Sequence, residues 1–491
     1  MSVEAFSWTS RAEFLNRSEE LAAIERWWRG RDRRLLALYG RRRVGKSWLF
    51  RAFAHEKPAA ILVAERGAPG DQLRKLAASL EAALGLRPEV SDVPELFRVL
   101  YRLGRSQKVL VVIDEFQHLL PGTRAKRAAM LTAIQAVIEE EQDDSRAKFI
   151  LCGSQIGQME RLLAEQSPLH GRLYRFFVGP LGPEGAREFI EASGPQDWVE
   201  RYAVSGGMPF YLSDLGRGGP LRQLLCKQVL DRHGALFDEP PYVLQQELRK
   251  PGFYMSILER LARGPTQVDG LARTLGETSQ SLSEYLRTLV EMRIVGRERP
   301  ITAGPKAVGY RYRLTDGFFR FWFRFVRPYR DQLETGLRAD DLWKAEVEPG
   351  LPGHIAPAFE ELCRRWVRAN LGQTASQVGS WWGPALHQLR KDGERESEEI
   401  DVVGMHRGRV SLVGECKWTA KPLSVKVLKE IEDYKLPALA QSGAKIHRDG
   451  LTRILFSRSG YTDGLREAAA GREDLRLVEL DELAPPSTAD G

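Results

Sequence analysis

Between positions 40 and 47 the chain reads Gly-Arg-Arg-Arg-Val-Gly-Lys-Ser, which satisfies the spacing GxxxxGK[ST]. Glycines at both ends let backbone N–H groups turn inward around phosphate oxygens. The lysine then supplies charge to the β- and γ-phosphates, and the hydroxyl after it ligates magnesium. Gly40, Arg43, Val44, Gly45, Lys46 and Ser47 are thus the expected contacts of a nucleoside triphosphate, with ATP and Mg2+ as the expected cofactors. The Arg41–Arg43 run reads either as a solvated loop tip or as added phosphate chelation. About seventy residues on, the apolar run 109–113 ends in Asp114 and Glu115. The first is placed to hold the same magnesium and the second to orient and activate the attacking water. Ser154 ends a further apolar run, where a polar sensor of the γ-phosphate would sit; an ordinary turn serine is the alternative. Arg172 is a candidate for stabilising transition-state charge, in cis or across a subunit contact, or else a surface arginine.

A second set of chemically competent residues lies in the last third. Glu360 falls in PAFEELCRRWV, which has helical periodicity, and Asp401 in EEIDVVGMH, which alternates as a strand. Glu415 and Lys417 fall in VSLVGECKW, the adjoining strand beyond a turn at HRGR. Residues i and i+2 of a strand share a face, so Glu415 and Lys417 project together and Cys416 points the other way. Asp401 on the neighbouring strand reaches the same face. Asp401 and Glu415, with Glu360 as a further carboxylate, would hold one or two Mg2+ (or Mn2+) ions, and Lys417 would polarise a nucleophile. That is the chemistry of phosphodiester cleavage. The competing reading is a set of salt-bridged strand residues in a domain that only grips DNA.

The elements that must position these groups are legible in outline. Residues 15–30 read as a helix with Ser18 at its N-cap. The apolar runs LLALYG, AAILVAE, KVLVVIDE and KFILCGS alternate with helical stretches at about 70–84, 94–104 and 123–141, implying a parallel sheet covered on both faces. After Pro180 the strand pattern stops. Residues 250–315 read as three helices closed by a β-hairpin, the winged-helix pattern, with Ser279, Gln280, Ser281 and Ser283 near the start of the third helix suited to DNA phosphate or base contacts; a protein-interaction or rigid linking module is the alternative. The aromatic stretch 318–330 reads as a helix at a domain junction, 390–399 as a charge-dense loop, and the last eight residues as disordered. The expected division is a P-loop ATPase core over 1–180, a helical lid over 181–247, a winged helix over 248–316, a helical linker over 317–345, and a nuclease-like α/β domain over 346–491.

Composition sets wide bounds. Of 491 residues, 43% are hydrophobic and 28% charged, and the net charge of +7 permits nucleic-acid contact without demanding it. Cys152, Cys226, Cys363 and Cys416 stand far apart without CxxC spacing, against both a structural zinc and a disulfide framework. No apolar stretch approaches the ~18 residues of a membrane span. A cytoplasmic protein without a membrane partner is expected.

Read together, these motifs resemble a known family. FLNRSEEL (14–21) resembles the FxxRxxEL opening of archaeal-type STAND/AAA-related ATPases, and YGRRRVGKS, VIDEFQHL, CGSQIGQM, PLHGR and GGMPFYL continue the likeness in order. The resemblance implies an additional-strand P-loop core, a helical lid and a winged helix, with Asn16 and Arg17 near the nucleotide base. Trp48 departs from it, since smaller residues are usual after the Walker serine; it is counted at the nucleotide site, with buried packing as the alternative. AFEELCRRWV, VGSWWG, EIDVVG and LVGECKW resemble the DUF234-type domain of these ATPases, within the PD-(D/E)xK nuclease superfamily. Glu430 and Tyr434 match the spacing of a polar pair that some relatives carry on the following helix. The implied function is ATP binding and hydrolysis coupled to DNA binding and metal-dependent phosphodiester cleavage. A nucleotide-switched DNA-binding regulator or scaffold with an inactive nuclease-like domain is the alternative. Further copies of the chain enter as partners through the option that Arg172 acts in trans.

Overall fold

The structure, a computed structural model, describes residues 3–30, 35–85, 87–248, 250–304, 309–389, 395–447 and 450–484. The chain divides into two compact units, Met1–Pro180 and Leu181–Gly491.

The first unit is built on five parallel strands, β1 (Leu35–Tyr39), β2 (Ala59–Val63), β3 (Leu110–Asp114), β4 (Lys148–Gly153) and β5 (Leu173–Phe177), in the order β2-β3-β4-β1-β5. β1 and β4 are buried at every position, as a sheet covered on both faces requires. β4 pairs with both β1 and β3, so one strand separates the phosphate loop after β1 from the acidic pair after β3. Helices α1 (Ser18–Arg29), α2 (Lys46–Ala54), α3 (Pro69–Ser79), α4 (Val93–Leu103), α5 (Arg124–Glu141) and α6 (Ile156–Leu163) accompany the strands.

Three sequence expectations change here. Arg17, in the left-handed region at φ 67°, caps α1 and Ser18 is already helical. The helix expected over 70–84 breaks at Leu80 into α3 and a short turn, Glu81–Leu84. β5 was not anticipated, because an edge strand with Tyr174, Arg175 and Phe177 exposed has no continuous apolar run.

In the second unit, α7 (Pro195–Ser205) and α8 (Pro209–Leu215) follow Leu181. Leu181, Trp198, Val199, Ala203 and Leu212 share one core cluster with Ile355, Phe359, Cys363 and Phe456. The stretch expected as a separate lid therefore shares its hydrophobic core with the C-terminal residues. Next come α9 (Pro251–Ala262), β6 (Thr266–Gln267), α10 (Val268–Leu275), α11 (Ser279–Glu291), β7 (Val295–Glu298) and β8 (Arg311–Leu314), the strands forming an antiparallel sheet in the order β6-β8-β7. The aromatic stretch after it is core: Phe318, Phe319, Phe321 and Trp322 are fully buried, and Trp322–Val326 form a π-helical turn.

The rest of the unit runs α12 (Glu348–Asn370), β9 (Gln377–Leu389), β10 (Arg395–His406), β11 (Arg409–Lys417), α13 (Val425–Glu430), a π-helical turn (Ile431–Lys435), α14 (Leu436–Gln441), β12 (Thr452–Ser457) and β13 (Leu475–Val478). The sheet order is β13-β12-β11-β10-β9, antiparallel from β9 to β11 and parallel from β11 to β13. Alternate residues feed two cores: Val402, Leu412 and Ile454 one, Val403, Val413 and Leu455 the other. Of the charge-dense loop expected over 390–399, residues 395–399 open β10 and 390–394 lie outside the described residues. The expected disordered tail lies outside them as well, apart from its first residue.

Candidate functional sites

The phosphate loop leaves β1 at Gly40 and enters α2 at Lys46, with Arg43 (φ 71°) and Gly45 (φ 87°) in the left-handed region. A Cβ on Gly40 would lie 2.2 Å from the Val178 carbonyl oxygen, so the loop can leave the sheet here only without a side chain. The Arg17 guanidinium braces the loop, donating to the carbonyls of Val44 (2.8 Å) and Gly179 (2.9 Å) and to Glu20. Asn16, beside it at φ 62°, accepts from the Arg17 N–H through Oδ1 (2.6 Å). The buried Lys46 ammonium donates to the carbonyls of Gly40 (2.8 Å) and Arg41 (3.1 Å).

Ser47 Oγ donates to Asp114 Oδ2 at 3.1 Å, which joins the two expected magnesium ligands. Glu115, at φ 52°, turns back toward β4. Its Oε2 accepts from Ser154 Oγ (2.8 Å) and from the Gln117 side-chain amide. Burial pushes the Glu115 carboxyl up, but these hydrogen bonds and the charges of Lys46 and Arg42 outweigh it and hold the group below its usual range. A poised anion is what water activation requires. The paired Ser47 and Asp114 oxygens, the loop N–H groups and the adjacent ammonium fit a magnesium–nucleoside triphosphate.

The remaining candidates are less closely joined. Arg172 pairs with Glu139 of α5. Trp48 is 43% exposed and packs edge-on against Trp8 at 5.0 Å, which overturns the buried-packing alternative. Gln117 escaped the sequence reading; its only signal was an amide two positions beyond Glu115.

The second site gathers side chains from α12, β10, β11 and the π-helical turn. Asp401 Oδ2 accepts the Cys416 N–H across the β10–β11 pair at 2.9 Å. The Glu415 side chain, 3% exposed, receives Lys417 Nζ on Oε1 (2.6 Å), and Lys435 Nζ lies 2.7 Å from each of its oxygens. Glu360 is drawn to Arg364 (3.7 Å) and Arg313 (3.9 Å). Burial, then the charges of Glu415 and Glu360, push the Asp401 carboxyl up to about 8. Glu360 is also raised, by burial, against the pull of Arg364 and Arg313. Burial opposes the charge on Lys417, but Glu415 more than compensates and raises it.

Cys416 faces the core, where it belongs to the cluster containing Cys363. Among the described residues no group of three His, Cys, Asp or Glu is gathered closely enough to hold a metal ion. Glu415 and Glu360 both bear on the charge of Asp401, while arginines and lysines take up Glu360 and Glu415. Two carboxylates on paired strands, with a third beside them, are an oxygen donor set of the kind a divalent cation completes with water and substrate oxygens, and in that respect the residues fit one. Lys435 was missed; the pair noted in the sequence, Glu430 and Tyr434, directly precedes it, and Tyr434 itself is 51% exposed.

Comparison with known proteins agrees with both halves. A family model described as an AAA domain matches residues 29–162. A second, DUF234, described as archaea bacterial proteins of unknown function, matches residues 322–431. An uncharacterized protein of Methanocaldococcus jannaschii is 25% identical over 426 residues, covering 85% of this chain and 90% of that one. An uncharacterized ATP-binding protein of the same organism is 50% identical over 44 residues, 9% of this chain and 75% of that one. Among solved structures, a Walker-type ATPase of Pyrococcus abyssi aligns over 66% of this chain and all of its own, with 21% identity and a TM-score of 0.48. The chain thus carries an AAA domain of the P-loop ATPase kind, built on the parallel sheet and the phosphate loop, followed by a DUF234 domain.

Proposed function

We propose that this ATPase couples its nucleotide state to DNA binding and to divalent-metal-dependent cleavage of phosphodiester bonds. The observation that carries the reading is the meeting of Asp401, Glu415 and Lys417 on paired strands, with Glu360 near enough to raise the Asp401 carboxyl. In the ATP site, bound magnesium would neutralise phosphate charge. Ser47 and Asp114 hold its position, Lys46 leaves the loop carbonyls for the phosphate oxygens, and Glu115 orients water. Ser154 and Gln117 keep Glu115 ionised, and Ser154 stands where it can register the γ-phosphate. Asn16, Arg17 and Trp48 border the nucleotide, and Arg172 supplies charge in cis or from another copy of the chain.

In the C-terminal site, bound Mg2+ or Mn2+ would stabilise charge on the leaving oxygen. Asp401 and Glu415 hold its position, Glu360 adds a carboxylate, and Lys417 lowers the cost of a developing hydroxide. We assign 181–247 to a lid, 248–316 to a winged helix that contacts DNA through the start of α11, 317–345 to a connector and 346–491 to the nuclease-like domain. The four cysteines are free thiols, in keeping with a reducing cytoplasm.

One observation favours a second reading, a nucleotide-switched DNA-binding regulator with an inactive nuclease-like domain: Lys435 already occupies both oxygens of Glu415. The deciding experiment is Mg2+- or Mn2+-dependent cleavage of single- and double-stranded DNA, with and without ATP. Cleavage lost in Asp401→Ala and altered in Lys46→Ala supports the coupled nuclease. ATP-sensitive DNA binding without cleavage supports the regulator.

A further inference from the structure

Glu415 is the most deeply buried carboxylate of the C-terminal site, and two lysines reach it from different elements. Lys417 comes from its own strand and touches Oε1 alone. Lys435 comes from the π-helical turn Ile431–Lys435 and stands equidistant from both oxygens at 2.7 Å, with 15% of its side chain exposed. A π-turn inserts a residue into a helix and so offsets the face that follows, a distortion common at functional positions. This turn is fixed from the other side. Glu432 accepts from Arg472 at 2.9 Å and forms an ion pair with Arg453 of β12 at 2.8 Å, and both arginines also bond Asp474. The Lys435 backbone is thus anchored to the sheet, while its side chain spans to Glu415 as a cation placed symmetrically between two carboxylate oxygens. A divalent ion bound by both oxygens of Glu415 would take that same position.

We propose that Lys435 is a tethered cation of this site. It holds the metal-binding side of Glu415 while the site is empty, competes with the divalent ion for that carboxylate, and turns to the phosphate of bound DNA once the ion has displaced it. This rests on the reading of the C-terminal cluster as a divalent-ion site. No bond is made or broken in the exchange; one cation replaces another on Glu415, and the ammonium keeps its proton. Lys435 in this role positions charge, and its contact with the reacting phosphate comes only after displacement.

The test is calorimetric titration of Mn2+ into the nucleotide-free full chain, with Asp401→Ala setting the background from other sites. Lys435→Met is expected to tighten the Asp401-dependent Mn2+ binding by on the order of tenfold, since the competing charge is gone. It is also expected to weaken the binding of a short DNA duplex in the presence of Mn2+. Lys435→Arg should stay near the wild-type Mn2+ affinity. A purely structural lysine predicts the opposite for Met, a loosened site with weaker Mn2+ binding. Should Lys435→Met fail to fold, Lys435→Gln carries the same expectation, because its amide bonds Glu415 without a charge. Asp401-dependent binding that is unchanged or weakened in a folded Lys435 variant overturns the proposal alone. Absence of any Asp401-dependent Mn2+ binding in the wild-type chain overturns the divalent-site reading and this proposal with it.

Discussion

Glu115 and Asp401 are both acids at a strand, and their surroundings drive them in opposite directions. Glu115 receives a hydroxyl and an amide and sees the charge of Lys46, so it stays ionised despite burial. Glu115→Gln should retain ATP binding and lose hydrolysis by about a hundredfold or more, as measured by steady-state ATPase assay and nucleotide titration. Gln117→Ala removes one of the hydrogen bonds that hold the carboxyl low. The acid limb of the kcat/KM profile should therefore move to higher pH, and a limb that stays in place would remove Gln117 from the site's chemistry. Asp401 has one backbone donor and two acidic neighbours, and near neutral pH it keeps its proton.

At the scale of elements, the phosphate loop depends on segments distant in sequence. Gly40 is close-packed under the chain leaving β5, and Arg17 ties the start of α1 to Val44 and Gly179. Gly40→Ala must push the loop or β5 aside, at a cost of about 2 kcal/mol or more. A lowered midpoint in urea unfolding, accompanied by lost ATP binding, is the expected result. Arg17→Ala leaves two carbonyls without their donor and should weaken ATP binding about tenfold through the loop's mobility. Unchanged affinity in that variant would mean that the loop holds its shape without the brace.

For the whole molecule, two compact units, one of them carrying the ATP site, should be separable by calorimetry. Mg2+–ATP at about a hundred times its Kd should stabilise the unit containing Lys46 by about 2.7 kcal/mol and raise one unfolding transition, and Lys46→Ala should abolish that shift. Asp401 adds a pH dependence to the other unit. Its carboxyl rises from 3.8 to about 8 on folding. Below pH 4 both states are protonated and the group costs nothing. Between those values the unfolded chain ionises while the folded chain does not, so stability falls as pH rises, and the loss is complete above pH 8. Asp401→Asn should thus match wild type near pH 4 and exceed it at pH 8 by about 2–4 kcal/mol in denaturant unfolding. A gap that is the same at both pH values would show that Asp401 is not held protonated.

The local signals were short and covalently fixed. GRRRVGKS after an apolar run and Asp-Glu after another could be read because a phosphate site needs particular residue types at set spacings, and Asp401 and Glu415 could be set on adjoining strands from their alternation. The central strands were legible because burial on both faces makes them continuously apolar. β5 was not, since an edge strand needs apolar residues on one face only, and Ser18 misled because capping depends on the dihedrals of Arg17, which composition does not encode. Pairing between distant segments was equally out of reach. Nothing in the sequence announces that Gln117 turns onto Glu115, that the helices after Pro180 share a core with α12, or that a π-turn brings Lys435 onto Glu415. Residue type and spacing determined which chemistry this chain carries. The tertiary structure alone decided the charge state of that chemistry, because burial and neighbours brought from afar set whether each acid is paired, protonated or free to act.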